Sequence, residues 1–557
     1  MKNKIVELLR NAGLANADLD KYIQPPKDQT HGDYSFASFV VAKEKGLNPV
    51  EVAKTIASKI KLGSDFEKVE AVGPYVNFFM DKKKLALDVL KKVEKEKNKY
   101  GTNKDGKRRT FMIEFSQPNT HKAFHIGHIR GTSLGESIAR LRDFCGYRVM
   151  RVNYSGDTGM HIAKWMWCYT KFHNGEKIQD DESWFAKIYV EAVQKLEGNE
   201  QGESEVLAIN KKLDERKDKK LIGLWKKTRL KSISAWKPIY ADLEVRFNKH
   251  FFESQVENAG KEIAQELVKK GIARIDDGAT IVDLKKDDLG IWVLLRRDGT
   301  VLYSAKDLAL AKEKFSKYKL NDSLVITSVE QNLHFQQLQK TLEIMGFKNW
   351  QNYLHLGYES VRLPEGKMSS RTGKNILYAD FRNELADVAR LEIEKRVKLS
   401  EKEIQKRALV IAIAAMKYAM LKQDTNKVII FNKDDAIRFE GDTGPYLIYS
   451  FARARSVLRN AGKAVKEKSF VISHNEKRLL NELARFPEIV KSANEQLNVA
   501  GIAHYTYTLA QTFNEFYHSC QVIGSDCEGF RLRLVKAFCQ VMQNSLHLLG
   551  IQTLEEM

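Results

Sequence analysis

The stretch TFMIEFSQPNTHKAFHIGHIRGTSLGESIARLRDFCGYRVMRVNYSG, residues 110–156, decides the fold. TFMIEFS is a short apolar run of the kind that fills a strand buried on both faces. SQPNTHKAFHIGH is polar and carries Pro118, so it predicts a loop. IRGTSLGESIARLRDFCGY has helical spacing, and YRVMRVNYSG is again a strand. Strand, loop, helix, strand is the grammar of a parallel α/β sheet. A loop at the carboxyl end of such a strand, running into a helix N-terminus, is an anion site. HKAFHIGH, residues 121–128, occupies that junction. Gly127 would let a nucleotide base or ribose come close to the backbone. His125 and His128 can donate to phosphate oxygens as charge builds in a transition state. Two histidines three apart can also be a metal pair or a capped turn.

Working outward, residues from about 170 to 260 are mostly helical and charge-laced, an insertion between sheet halves. Strand-like runs resume at ATIVDL, GIWVLLRRDGTVLYS and SLVITSV, the last followed by the helical HFQQLQKTLEIMG. A second chemical motif, EGKMSSRTGK, spans residues 365–374. Loops of Lys, Ser, Arg and Gly with little apolar content fold over polyphosphates. It is not a P-loop, because GxxxxGK[ST] is absent. From about 400 the chain has helical spacing throughout, apart from the short KVIIF, and predicts an all-α bundle. Before 110, residues 1–85 form a small α+β unit: an amphipathic start, a helix opening at Pro49 after Asn48, and VEAVGPYVNFFM alternating around a Gly-Pro turn. KKKLALDVLKKVEKEKNKYGTNKDGKRR is a charged helix that decays into a polar linker, residues 86–108.

Composition sets the outer bounds. The chain has 557 residues, 43% hydrophobic and 29% charged, enough for about three or four domains of ordinary globular composition. That excludes dominant disorder, collagen and a disulfide scaffold. The net charge is +20 and the pI about 9.4, which suits a polyanionic partner, although a lysine-rich surface also serves solubility alone. Five cysteines at 145, 168, 520, 527 and 539 include no CxxC pair, so no structural zinc is expected and a reducing, cytoplasmic setting is. No apolar run approaches a membrane span.

HxGH after the first strand, with KMSS about 240 residues later, resembles the signature of class I aminoacyl-tRNA synthetases. The flanks EFSQPNTHKAFHIGHIRGT, VNYSGDTGMHIAKW, LRRDGTVLYSAKDLALA, VRLPEGKMSSRTGKN, AIRFEGDTGPYLIYSFARARSVL and LAQTFNEFYHSC are similar, in that order, to arginyl-tRNA synthetases. So are HGDYSFASF, NPVEVA and VGPYVNF near the start and HLLGIQTLEEM at the end. The resemblance covers essentially the whole chain. It implies a Rossmann-type catalytic domain over 109–400, an additional N-terminal domain over 1–85 that touches tRNA, and a helical anticodon-binding domain over 401–557. It implies activation of L-arginine by ATP, with Mg²⁺ accompanying the ATP, and transfer to the 3′ end of tRNA-Arg by a cytoplasmic monomer.

The resemblance also implies roles. His125, Gly127, His128, His334, Lys367, Met368, Ser369 and Ser370 would hold ATP, with His334 near the adenine or ribose. Lys122, His125, His128 and Lys367 would be catalytic. Ser370 stands where the wider class has a second lysine, and Lys122, three residues before His125, would replace that cation; Arg371 and Lys374 are alternatives. Glu114, Asn119, Tyr303, Asp307 and Gln331 would bind arginine, the two carboxylates facing the guanidinium. A carboxylate at the end of a buried strand is costly unless paired, which favours a cationic ligand at Glu114; Asp307 could instead be a helix-dipole partner. Tyr446, Arg453 and Arg455 mix aromatic and basic groups suited to tRNA, though most tyrosines of the bundle suit its core. Phe36 falls at about the position of an asparagine common in the family's N-terminal domain. Two rival classes share single features: small nucleotidylyl transferases have HxGH but are shorter, and a non-catalytic RNA-binding homologue would not need His125, His128 and Lys367 intact.

Overall fold

The computed structural model describes residues 2–14, 18–26, 28–364, 377–395, 397–462 and 472–557. Two units are separable: residues 1–97, 461–484 and 512–538, and residues 98–460, 485–511 and 539–557.

The second unit is built on a five-stranded sheet. Its strand order is Tyr353–Tyr358, Asp322–Ser328, Thr110–Glu114, Arg148–Ser155, Lys249–Phe252, and every neighbouring pair is parallel. Thr110–Glu114 is central because its apolar run tolerates no water: Phe111, Met112 and Ile113 are fully buried. Chain order reverses on either side of it, so its carboxyl end is the topological switch point where ligands bind in such sheets. The helix that follows, Ile126–Phe144, lies close to the sheet: a Cβ on Gly135 would fall 2.1 Å from the Phe115 ring.

Three sequence expectations are corrected here. The insertion does not run to 260. Its helices end at Asp242, and Lys249–Phe252 is the edge strand of the central sheet. The ATIVDL and GIWVLL runs are strands but do not join that sheet. They form a separate antiparallel sheet, ordered Ile291–Leu295, Ala279–Asp283, Arg274–Asp276, and the strand-like reading ends at the helix Tyr303–Tyr318. The segment read as linker from 86 remains helical to Glu96, in Lys82–Glu96, started by an Asp81 side chain that accepts from Lys84 N.

One core joins sheet and crossover helices through Met112, Val152, Phe251, Trp292, Leu308, Val325 and Leu338. The helices from Met160 to Asp242 have a second core, rich in aromatics: Trp165, Trp184, Phe185 and Trp225.

The helix Ile126–Phe144 is held at its far end by the end of the chain. Ser137 Oγ donates to Leu548 O at 2.6 Å, and Arg140 donates to His547 O at 3.2 Å and to Glu136 at 2.8 Å. Lys417, on the helix Glu401–Leu421, donates to Leu243 O and Gly550 O, and burial lowers its pKa to about 7. From residue 401 the regular structure is helical except for Ile429–Ile430, which pairs with Val361–Arg362.

In the first unit a four-stranded antiparallel sheet runs Ile23–Gln24, Tyr34–Ala37, Tyr75–Met80, Phe66–Val72. The VEAVGPYVNFFM run is its hairpin, turning through Gly73 at φ 55. Pro49 opens a helix capped by the Asn48 side chain. Among the described residues no helix is long and apolar enough to cross a membrane.

Candidate active site

The loop leaving Glu114 contains three non-glycine residues with left-handed backbone, Ser116, Gln117 and His121, at φ 80, 50 and 63. Such conformations persist only where the surroundings over-determine them. Here Tyr240 Oη bonds Ser116 Oγ, Asn153 Oδ1 accepts from Gln117 N, and Ser232 Oγ and Thr228 Oγ1 hold His121 N and Nε2. The helix Lys219–Asp242 supplies three of those four partners, so the insertion buttresses the loop.

The loop delivers His125 as the cap of the helix Ile126–Phe144. His125 Nδ1 accepts from Gly127 N at 3.2 Å, and His128 Nδ1 accepts from His125 N at 3.1 Å. Both rings use Nδ1 as acceptor, which puts the ring proton of each neutral imidazole on Nε2. Burial and then Lys122 lower the His125 pKa to about 4; burial, His125 and Lys122 lower that of His128 well below the usual range. The pair therefore acts as two neutral N–H donors. A side chain on Gly127 would meet the His125 ring at 3.0 Å, so the ring itself is what approaches this glycine.

These groups open on a cavity of about 670 Å³. Asn119, Lys122, His125 and His128 form one wall; Tyr189, Glu191 and Gln194 of the helix Glu182–Leu196 form another; Leu377 and Asp380 close a third side. Lys122 Nζ lies 5.2 Å over the Tyr189 ring. Asn119 Oδ1 accepts from Gly156 N, at the end of the next strand. Lys367, Met368, Ser369, Ser370, Arg371 and Lys374 lie outside the described residues. Their chain resumes at Leu377, which forms an antiparallel bridge with His125, and Tyr378 N donates to Phe124 O.

The carboxylates expected at arginine, Glu114 at the carboxyl end of Thr110–Glu114 and Asp307 on the helix Tyr303–Tyr318, each have a partner from the chain. Glu114 is buried against Lys314 Nζ at 2.5 Å and accepts from Gln117 Nε2 at 3.0 Å. Its burial is matched by a cation that the chain itself provides, Lys314. Asp307 Oδ2 is 2.7 Å from His334 Nε2, and His334 Nδ1 accepts from Trp292 Nε1. Thus His334, expected at the nucleotide, is bonded to a group expected at arginine. Tyr303, half-exposed and one helical turn before Asp307, stands 4.7 Å from the His334 ring. Gln331 ends the turn that follows Asp322–Ser328 and is exposed.

Several groups here carried no role in the sequence reading. Tyr154 Oη is buried and has no hydrogen-bond partner; Asp307, Glu253 and Glu114 are close enough to add to the upward pull of burial on its pKa. Glu253 pairs with Lys306 at 2.9 Å, and Asp157 accepts from Arg229 and Ser254. Glu182 accepts from Phe124 N, and burial raises its pKa to about 7. YSGDTG, residues 154–159, was the only signal for Tyr154 and Asp157.

Of the groups expected at tRNA, Tyr446 packs on Tyr507, Arg453 donates to Tyr449 Oη, and Arg455 is paired with Glu555 at 2.6 Å. The Arg455–Glu555 pair lies at the surface. Phe36 is fully buried, aligned with Ile23 and Val76. Its neighbours Ser35 and Ala37 line a cavity of about 600 Å³ with Tyr22, His31, Tyr75 and Asn77.

Three family models match: the catalytic domain of the class I (R) tRNA synthetases over residues 89–433, the DALR anticodon binding domain over 447–557, and the arginyl tRNA synthetase N terminal domain over 1–80. The chain is 35% identical to an arginine–tRNA ligase of Treponema denticola, covering 96% of this chain and 94% of that protein. It is 33% identical to one from Clostridium perfringens, covering 97% and 96%. Among solved structures, the arginyl-tRNA synthetase of Thermus thermophilus superposes with a TM-score of 0.84 at 24% identity, covering 100% of this chain and 99% of that one. A parallel sheet bearing the HxGH cap at its switch point, together with full-length matches of this kind, shows that the chain belongs to the arginyl-tRNA synthetase family.

Proposed function

We infer that this cleft carries out the arginine–tRNA ligase reaction in two steps. A carboxylate oxygen of L-arginine attacks the α-phosphorus of ATP; the bond to the β-phosphate oxygen breaks, leaving arginyl-adenylate and pyrophosphate. A hydroxyl of the 3′-terminal adenosine of tRNA-Arg then attacks the acyl carbon, and AMP leaves. ATP enters with Mg²⁺, as substrate. No covalent enzyme intermediate is needed, so positioning and charge stabilisation carry the rate.

The observation that supports this most is the bridge between His125 and Leu377, three residues beyond the second motif. Lys122 and Lys367 are assigned to the phosphates. The Nε2–H groups of His125 and His128 are assigned to phosphate oxygens that gain charge in the transition state. Asp307, oriented by His334, is assigned to the guanidinium, with Tyr303 covering it and Tyr154 Oη completing the wall. Asn119 and Gln331 are assigned to the α-amino and carboxylate ends. Glu114 shapes this end through its pair with Lys314 rather than as the principal guanidinium acceptor. Residues 1–85 are assigned to a tRNA contact, 109–400 to catalysis, and 401–557, with Tyr446 and Arg453, to the anticodon side. The enzyme is read as a cytoplasmic monomer.

The test is ATP–pyrophosphate exchange with and without tRNA, joined to aminoacylation with arginine against lysine, glutamate and cysteine. Charging with arginine alone is expected; charging with another of the four, or none, would overturn the reading.

A further inference from the structure

The helix Met160–Phe172 of the insertion ends beside His173, and the next helix, Glu182–Leu196, runs past it. Cys168 Sγ, a nitrogen of His173 and a carboxylate oxygen of Glu191 all lie within 4.8 Å of one another. Among the described residues this is the one such cluster of three or more His, Cys, Asp or Glu ligand atoms. Cys168 is fully buried. His173 Nε2 faces Glu191 Oε2 at 2.8 Å, and its Nδ1 faces Glu176 Oε1 at 2.8 Å. Lys195 Nζ sits 3.6 Å from the other oxygen of Glu191.

We propose that Cys168, His173 and Glu191 bind one zinc ion. One sulfur, one imidazole nitrogen and one carboxylate oxygen match the borderline-soft character of Zn²⁺, and three protein ligands leave a fourth position to water. Zinc–ligand bonds of about 2.0–2.3 Å in a tetrahedron set the ligand atoms about 3.3–3.6 Å apart. Binding therefore requires the His173–Glu191 contact to open by about half an ångström and the thiol to close on it. Glu176 holds Nδ1, which turns Nε2 toward the ion, the arrangement of a carboxylate–histidine–metal triad. On binding, the Cys168 thiol releases its proton to water, and so does Nε2 wherever the imidazole is charged.

The sequence hid this set because its ligands are 5 and 18 residues apart on two helices, and no CxxC marks it. The ion would clamp the end of Met160–Phe172 to Glu182–Leu196. Glu191 also lines the catalytic cavity, so metal occupancy would be felt in that wall. The proposal does not depend on the arginine assignment.

The rival arrangement is an imidazolium held between two carboxylates with no ion. Full-length protein is stripped with a chelator, given one equivalent of Zn²⁺ or Co²⁺, and desalted. Wild type is expected to retain about one zinc per chain, and its cobalt form to show a thiolate-to-cobalt charge-transfer band. Cys168→Ser should abolish that band. Should that variant fold poorly, Glu176→Gln, whose carboxylate is not a ligand, should weaken zinc binding by about 10–100-fold. A wild type that retains no metal and shows no charge-transfer band, or equal zinc retention in folded Cys168→Ser, overturns the proposal.

Discussion

Around His125 and His128, side chains direct their hydrogen bonds to the backbone; around Glu114 and Asp307 they direct them to one another. The histidines cap a helix and stay neutral, so their outward N–H groups need no compensating charge. Glu114, Glu253 and Asp307 each have a partner from the chain, Lys314, Lys306 and His334. Under the proposed assignment, ATP would be met by donors whose charge state is already settled, and the cationic substrate would be admitted among groups that are already paired. Substitutions in the two regions should therefore fail differently, one in rate and the other in stability or affinity.

The sharpest break comes at Glu114. Glu114→Gln leaves Lys314 charged and buried, a loss of about 3–5 kcal/mol of stability, visible as a lowered thermal midpoint. Adding Lys314→Met should recover much of it. If the single variant keeps full stability and instead loses arginine affinity, the carboxylate belongs to the substrate and the contrast between the two regions collapses. Lys122→Ala should leave stability intact and slow pyrophosphate exchange by about 10²-fold or more, the scale of one preorganised donor. Ser370→Lys in that background should restore part of the rate; normal exchange in Lys122→Ala would pass its role to Arg371, Lys374 or Mg²⁺.

A smaller effect is expected at His334. His334→Gln removes the group that orients Asp307 and should raise the KM for arginine by about tenfold, a loss of about 1–1.5 kcal/mol, with the KM for ATP unchanged. Equal changes in both would move His334 to the nucleotide end. The smallest concerns pH. His125 titrates near 4 in the folded chain against 6.5 unfolded. Between those values the unfolded chain binds more protons, so this stabilisation is present above pH 6.5 and is lost as pH falls toward 4. His125→Asn should lose less of its thermal midpoint between pH 7 and 5 than the parent. A steeper loss would mean that the imidazole is charged in the folded state.

The strand, loop and helix over 110–144 were legible because their signals are local: an apolar run, Pro118 and helical periodicity. The edge strand Lys249–Phe252 was not, because KHFF is four residues long and half polar. Lys314 could not be matched to Glu114 from sequence across 200 residues, so the cation that the chain sets beside this carboxylate was not legible. The pairing of Arg455 with Glu555, 100 residues away, was not legible for the same reason. The reciprocal cap was hidden differently: histidine is not among the usual capping residues, and only the Nδ1 contacts in the structure separate a capped turn from a metal pair.

The helix Glu528–Leu548 bears on the reaction through the helix Ile126–Phe144. His125 caps one end of the latter, and Arg140, about 22 Å along it, grips His547 O near the other. That helix is a strut with its foot on the last turn of Glu528–Leu548. Arg140→Ala would loosen the foot and tilt the histidines without touching a group that meets substrate.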